Sequence, residues 1–356
     1  MRVFTCDSCG QLVFFDNSQC LRCHAPLGYV HQRRDVVALT EVGPDHLVDL
    51  TSPIAAWQRC ATQAVTGCNW LVPAGSGALC ESCALTRTRP ADGDTEGMAE
   101  LLHGEMAKRR LIFQLAEIGL PVVPRDEEAG RGLAFDLLSS TETKVITGHD
   151  NGIITLDLAE ADPEHRERLR QQMSEPYRTL LGHFRHEIGH YYWPILVREP
   201  DAVSACRVLF GDDRGDYAAA VARHYHDPPD LDRSWSGTHI SRYATMHPFE
   251  DWAETFAHYL HILDTLQTAD SFGLGTTYPS GRRRAQRPGA HPTRPDGTRS
   301  FGDVVDSWLE LSYALNQINR SMGHDDLYPF VLAPRVIRKL AFVDHMVHRG
   351  AHPAGS

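Results

Sequence analysis

No apolar run in this chain approaches the length of a membrane span, and its opening residues, Met1-Arg2-Val3-Phe4-Thr5-Cys6, lack the apolar core of a signal peptide. A spanning helix is thereby excluded, and cytoplasmic residence with no membrane partner is expected. Lysine is nearly missing. Lys108, Lys144 and Lys339 are the whole supply, so arginine carries almost all the positive charge, which reads as genomic bias rather than mechanism. Positive charge is also in deficit overall. The formal net charge of −11 argues against a general affinity for nucleic acid, and no such partner is expected. Cysteine is missing from most of the chain, since eight of the nine stand before residue 84 and Cys206 is alone afterwards, read as a small buried hydrophobe. What remains, 356 residues of which 42% are hydrophobic, suffices for a sizeable core with small accessory modules.

The crowded cysteines form two sets of four. In the first, Cys6, Cys9, Cys20 and Cys23 make two CxxC knuckles around Leu12-Val13-Phe14-Phe15, the arrangement a zinc ribbon needs for its hairpin. Four thiolates can close a tetrahedral site, and so short a segment has too little core to fold without one. The second set, Cys60, Cys68, Cys80 and Cys83, has one CxxC and wider spacing, with Trp70, Leu71 and Val72 suggesting a strand around a second structural zinc. Disulfides are the competing reading for both sets, and a reducing compartment disfavours them.

Farther on stands His186-Glu187-Ile188-Gly189-His190. On a helix, residues four apart lie one above the other, so His186 and His190 can hold one Zn²⁺ while Glu187 reaches an attacking water. Phe184, Ile188, Tyr191 and Ile195 are expected on the opposite, core-facing side, His183 and Trp193 near the ligand side, and Gly189 removes bulk beside the site. A second two-faced helix is expected from about Phe249. Trp252, Phe256, Tyr259 and Leu263 share one face, and Glu250, Glu254, His258 and His261 the other. A catalytic zinc usually takes three protein ligands and keeps a fourth position open. Glu250 is the expected third ligand and Glu254 the alternative, with Glu254 and Asp251 as candidates to orient the histidine rings. His258 and His261 read as hydrogen-bonded structural residues.

Two histidines of HExxH with a glutamate from a later E-x-x-A-E helix resemble the gluzincin metallopeptidases, and the two helices are most similar to those of the anthrax lethal factor catalytic domain. That resemblance implies that Glu250 binds metal, that Glu254 supports the site, and that Tyr243, seven residues before the ligand, assists catalysis. Over most of residues 1 to 347 the chain is similar to bacterial proteins described as "putative zinc-binding metallopeptidases", which pair an N-terminal ribbon with HEIGHYYW, EDWAE and the late stretch Asn319-Arg320-Ser321-Met322-Gly323. In zincins a strand near Ile153-Ile154-Thr155-Leu156 offers an edge for a peptide substrate.

The implied chemistry is peptide-bond hydrolysis. Two neutral imidazoles and one carboxylate leave the centre positive, so water there can ionise near pH 7; Glu187 acts as general base, and Tyr243 donates a hydrogen bond to the developing oxyanion. The expected fold is α+β, a zincin-like (gluzincin) core preceded by four-cysteine zinc-ribbon modules. Residues 1–30 form the ribbon, 31–85 the second cysteine module, Thr86 to Gly97 a linker and 98–348 the catalytic domain. Residues 275–302 read as a flexible Arg/Pro/Gly-rich insertion and 349–356 as a tail, with fraying expected from His348. Helices are expected from Met98 to Ile118 with Leu102, Met106, Phe113 and Ala116 on its stripe, around Trp308, Leu311, Leu315 and Ile318, and from Pro334 with Val336, Leu340 and Val343. One catalytic and two structural zincs, a peptide or protein substrate, and a protein partner at the ribbons complete the expectation. The alternatives are a zinc-ribbon scaffold or nucleic-acid or protein adapter with a vestigial hydrolase core, and a metal-dependent amidase acting on a non-peptide substrate.

Overall fold

In the computed structural model, which describes residues 1–43, 46–141, 143–162, 179–226, 234–276 and 300–351, the chain opens on a small hairpin of β1 (Phe4–Thr5) and β2 (Leu12–Val13). A five-stranded antiparallel meander follows in chain order, β3 (Leu27–Val30), β4 (Asp35–Gly43), β5 (His46–Asp49), β6 (Ser52–Arg59) and β7 (Leu71–Pro73), with the short helix α1 (Gln63–Thr66) before the last strand. The meander curls so that Tyr29 bridges Trp70, bringing β7 back to β3. At Gly28 any Cβ would collide with Leu71 at 2.6 Å, so only glycine permits that approach. Val30, Val37, Leu39, Leu47, Trp57 and Leu71 fill the interior. Because β3 starts at Leu27 and Cys60, Cys68, Cys80 and Cys83 flank β6 and β7, both cysteine sets hang on one sheet.

Thr86 to Gly97, expected as a linker, is instead built into the fold. Thr86–Thr88 is strand β8, which runs parallel to β9 (Ala134–Leu138), and Arg87 grips Asp136 with one guanidinium edge, Nε donating to Oδ1 and Nη2 to Oδ2. Helix α2 (Thr95–Glu117) then starts on Asp94, whose carboxylate accepts the Gly97 amide as an N-cap. Its buried face differs from the expected stripe. Leu102 is exposed, while Leu101, Ile112 and Phe113 are buried together with Glu105, Lys108 and Arg109. The same four-stranded sheet holds β10 (Gly148–Asp150) and β11 (Ile153–Asp157), joined at Asn151-Gly152, where both φ angles are positive, as a tight hairpin turn requires. Here β11 lies between β10 and β9, so Ile153 to Leu156 is not the free edge anticipated for a peptide. Its amides already serve two neighbours.

The chain divides into two compact units, an N-terminal one that includes Thr179–Phe184 and a C-terminal one from Arg185 onward. The C-terminal unit is helical: α3 (Leu180–Leu196, continuing from the first unit), α4 (Pro200–Phe210), α5 (Tyr217–His226), α6 (Pro248–Ser271), α7 (Phe301–Ser321) and α8 (Pro334–Ala351). Helix α6 buries Trp252, Phe256 and Tyr259, and α8 buries Val336, Leu340 and Val343. Ile195 and Ile318, expected in the core, lie exposed near helix ends. Most of the arginine-rich stretch falls outside the described residues, but Phe301 and Gly302 already belong to α7, capped by Ser300. Residues 348–351, expected to fray, complete α8, and His348 Nδ1 meets the Asp344 carbonyl at 2.7 Å. Among the described residues no helix is long and apolar enough to cross a membrane.

Candidate metal centre

The site is made where α3 meets α6. Gly189 allows it: a Cβ there would stand 3.0 Å from Ala253 Cα and 3.1 Å from Phe256 Cβ, so the missing side chain lets the two backbones approach. Trp252 locks the contact by donating its Nε1–H to the Gly189 carbonyl at 2.9 Å. Pro194, in the last turn of α3, cannot donate back to the His190 carbonyl, and the helix stops at Leu196. Pro248 stands at the first position of α6, where its missing N–H costs nothing, and Glu250 follows in the first turn.

This crossing gathers His186, His190 and Glu250, all buried, with one donor atom each inside a 4.8 Å span. Glu250 Oε2 lies 3.0 Å from His186 Nε2 and 3.4 Å from His190 Nε2, and the two Nε2 atoms are 3.1 Å apart. Donor atoms about 2.0–2.1 Å from one tetrahedral zinc would stand roughly 3.3–3.4 Å from each other. The set therefore fits a zinc ion, and one carboxylate beside two imidazoles is a ligand chemistry zinc accepts. Glu254 is placed behind the ring. Its Oε1 meets His186 Nδ1 at 2.8 Å, leaving Nε2 aimed at Glu250, and its Oε2 accepts from Ser241 Oγ at 2.6 Å. Of the two glutamates, Glu250 thus stands with the inner nitrogens and Glu254 with the outer one.

Electrostatics agree with that division. Burial opposes charge on His186, yet the carboxylates of Glu250 and Glu254 outweigh it and hold its pKa well above the ordinary value. Burial likewise works against ionised Glu250 and Glu254. Contacts with His186, joined by His190 at Glu250, hold Glu250 well below the carboxylate range and Glu254 at about 2. The pocket keeps both carboxylates ionised, with the charge opposite them carried by the His186 imidazole.

Glu187 sits one position along α3, largely buried, and among the described residues it makes no hydrogen bond or ion pair. The Tyr243 ring stands 5.7 Å from that of His186 and also 5.7 Å from that of His224. Asp251, expected to orient a histidine ring, turns elsewhere: its Oδ2 takes Lys339 Nζ at 2.5 Å and lies 3.6 Å from His239 Nε2. Burial raises Asp251 to about 7 and lowers Lys339, marking a buried pair that ties α6 to α8. His183, expected near the ligands, pairs with Glu160 at 2.5 Å, and Trp193 packs edge-on to Phe249 and Trp252. His258 Nδ1 meets the Tyr328 hydroxyl at 2.9 Å, and His261 stacks on the Tyr328 ring. Asn319 and Arg320 do their work in a loop: Asn319 holds the Asp325 carbonyl and Arg320 pairs with Asp326, while Asn316 clamps both backbone groups of Tyr328.

Two residues of the centre have no sequence signal. Tyr217, at the start of α5, donates its hydroxyl to Glu250 Oε1 at 2.7 Å, a contact across 33 positions that no spacing rule anticipates. Ser241 was missed for the same reason.

The cysteines gather as their spacing requires. Cys6, Cys9, Cys20 and Cys23 form one cluster and Cys60, Cys68, Cys80 and Cys83 another, and none of them is joined in a disulfide. The Cys6–Cys23, Cys9–Cys20 and Cys68–Cys80 sulfur pairs each stand 3.7 Å apart. A disulfide would bring them to about 2.05 Å. Tetrahedral ligation with Zn–S near 2.3 Å puts sulfurs roughly 3.8 Å apart, so both clusters fit zinc.

Residues 98–346 match the family described as "Putative zinc-binding metallo-peptidase". The chain belongs to that family. Residues 3–94 match a zinc-ribbon domain, so both cysteine clusters fall within one ribbon match. Proteins of Mycobacterium bovis and Mycobacterium tuberculosis, each described as uncharacterized, are 49% identical to this metallo-peptidase family member over 349 residues, 98% of this chain and 95% of theirs. No solved structure matches it.

Proposed function

We propose that the protein is a zinc-dependent peptidase in which His186, His190 and Glu250 hold the catalytic metal, Glu187 is the general base and the two four-cysteine clusters hold structural zinc. The observation that carries this reading is the pairing of a converged three-ligand set with a neighbouring carboxylate, Glu187, that no described group engages. When bound, zinc supplies Lewis acidity, polarising a carbonyl oxygen and easing the ionisation of water near neutral pH. Glu187 takes the proton of the attacking water onto its carboxylate and passes it to the departing amine. Glu254 keeps the His186 ring oriented through Nδ1, and Ser241 keeps Glu254 in place. Tyr243, beside the His186 ring, donates a hydrogen bond to the oxyanion as the carbonyl is attacked. The core is of gluzincin type, the substrate is a peptide or protein, and the ribbons dock a protein partner or the substrate itself.

Glu187→Gln tests the base directly, because an amide keeps the shape and cannot accept the proton. In a peptide-library digestion the variant should keep the wild-type zinc content and lose about a hundredfold or more in rate, within the range a general base contributes. Full activity in the variant would remove Glu187 from the chemistry.

A further inference from the structure

Glu250 divides its two oxygens between different tasks. Oε2 faces the His186 and His190 nitrogens, while Oε1 faces away and accepts the Tyr217 hydroxyl at 2.7 Å. Among the described residues, Tyr217 is the one donor to Oε1, and Glu250 is only 1% exposed, so water has little access to replace it. A carboxylate offers two oxygens to a cation, and a buried oxygen left without a donor carries a desolvation penalty that a nearby metal would relieve. Zinc accepts a fifth ligand readily.

The placement of Tyr217 is itself built. His247 caps α6 by accepting the Phe249 amide on Nδ1 at 3.2 Å, which leaves Nε2–H to donate to the Gly215 carbonyl at 3.3 Å. The Tyr217 ring stands edge-on to His247, with centroids 5.3 Å apart at 83°. One imidazole therefore anchors both the turn that delivers Glu250 and the segment that delivers the phenol. Their relative position does not depend on a loose loop.

We propose that Tyr217 is a positioning residue that confines Glu250 to one-oxygen ligation of the catalytic metal, reserving the remaining coordination position for water and substrate. This rests on the peptidase reading of the same centre. It assigns the phenol a role in coordination mode, separate from the part given to Tyr243. Without the hydroxyl, Oε1 is free to turn to the metal as a further ligand beside the water, crowding the position kept for substrate.

The test uses the full chain with its ribbon zincs left in place. The third metal is stripped with a chelator and replaced by Co²⁺, and the visible d–d bands are compared between wild type and Tyr217→Phe. Tyr217 is 43% exposed and the substitution removes a single oxygen, so the fold is expected to survive. Wild type should show the intense bands of four-coordinate cobalt, and Tyr217→Phe should bind one Co²⁺ with bands reduced several-fold, as a fifth ligand produces. Superimposable intense spectra would overturn the proposal, as would weak bands already in wild type or a variant that holds no cobalt at all. Wild type that takes up no third metal would overturn the centre itself, an outcome distinct from the others.

Discussion

Glu254 shows how much of the centre depends on a residue placed behind the three that converge. Its carboxylate joins Ser241 to His186 Nδ1 and so decides which nitrogen of that ring faces Glu250. Removing it frees the ring to turn and leaves the Nδ1 side unsatisfied, so Glu254→Ala should weaken zinc at this centre by about 10–100-fold while leaving both ribbon zincs in place. A chelator titration that follows the third zinc separately checks this, and unchanged affinity would reduce Glu254 to packing. At this scale the sequence was legible where a periodic element fixes the geometry. His186, Glu187 and His190 are related by one helix, and Glu250 and Glu254 by another, so spacing alone assigned their faces. Tyr217 and Ser241 reach the same centre from connecting segments, and no periodicity links a segment to a helix it meets only in space. Asp251 shows the converse: a candidate to orient a histidine ring although off the Glu250/Glu254 stripe, it is handed to Lys339 by a step of about 100° around α6.

Among elements, the two cysteine clusters differ in what surrounds them. Cys9 is partly exposed and Cys23 exposed in the first, whereas all four cysteines of the second are buried. There Cys83 Sγ lies 3.9 Å from Glu105, and Thr62 donates to Cys83 Sγ at 3.1 Å, while Lys108, fully buried, pairs with Glu105 at 2.8 Å. Two buried cations, Lys108 and Arg109, pair with Glu105 and so offset the carboxylate that stands beside Cys83, in a thiolate set that zinc alone leaves doubly negative. The second zinc should therefore resist a competing chelator longer than the first, with release seen as two phases and the slower one lost in Cys80→Ser. Release of both in one phase would contradict that ranking. This packing also explains why the stripe of α2 was misread. Periodicity equates apolar with buried, but α2 turns Glu105, Lys108 and Arg109 inward to serve the cluster and leaves Leu102 in solvent. The strand at Thr86–Thr88 was hidden likewise, because three residues among prolines and glycines carry no alternation to read.

In the whole molecule, a ribbon match over residues 3–94 adjoins a metallo-peptidase match over 98–346, and the net charge of −11 sits on a chain that carries three prospective zinc sites. The claim that joins these parts is that the α3–α6 crossing holds a third metal ion, distinct from the two held by thiolates. Zinc per chain, measured by elemental analysis on wild type and His190→Ala side by side, tests it most directly. Near three zincs in wild type falling to two in the variant is the expected result. Two in both would contradict it, since the converged histidines and Glu250 would then hold no metal in the resting protein.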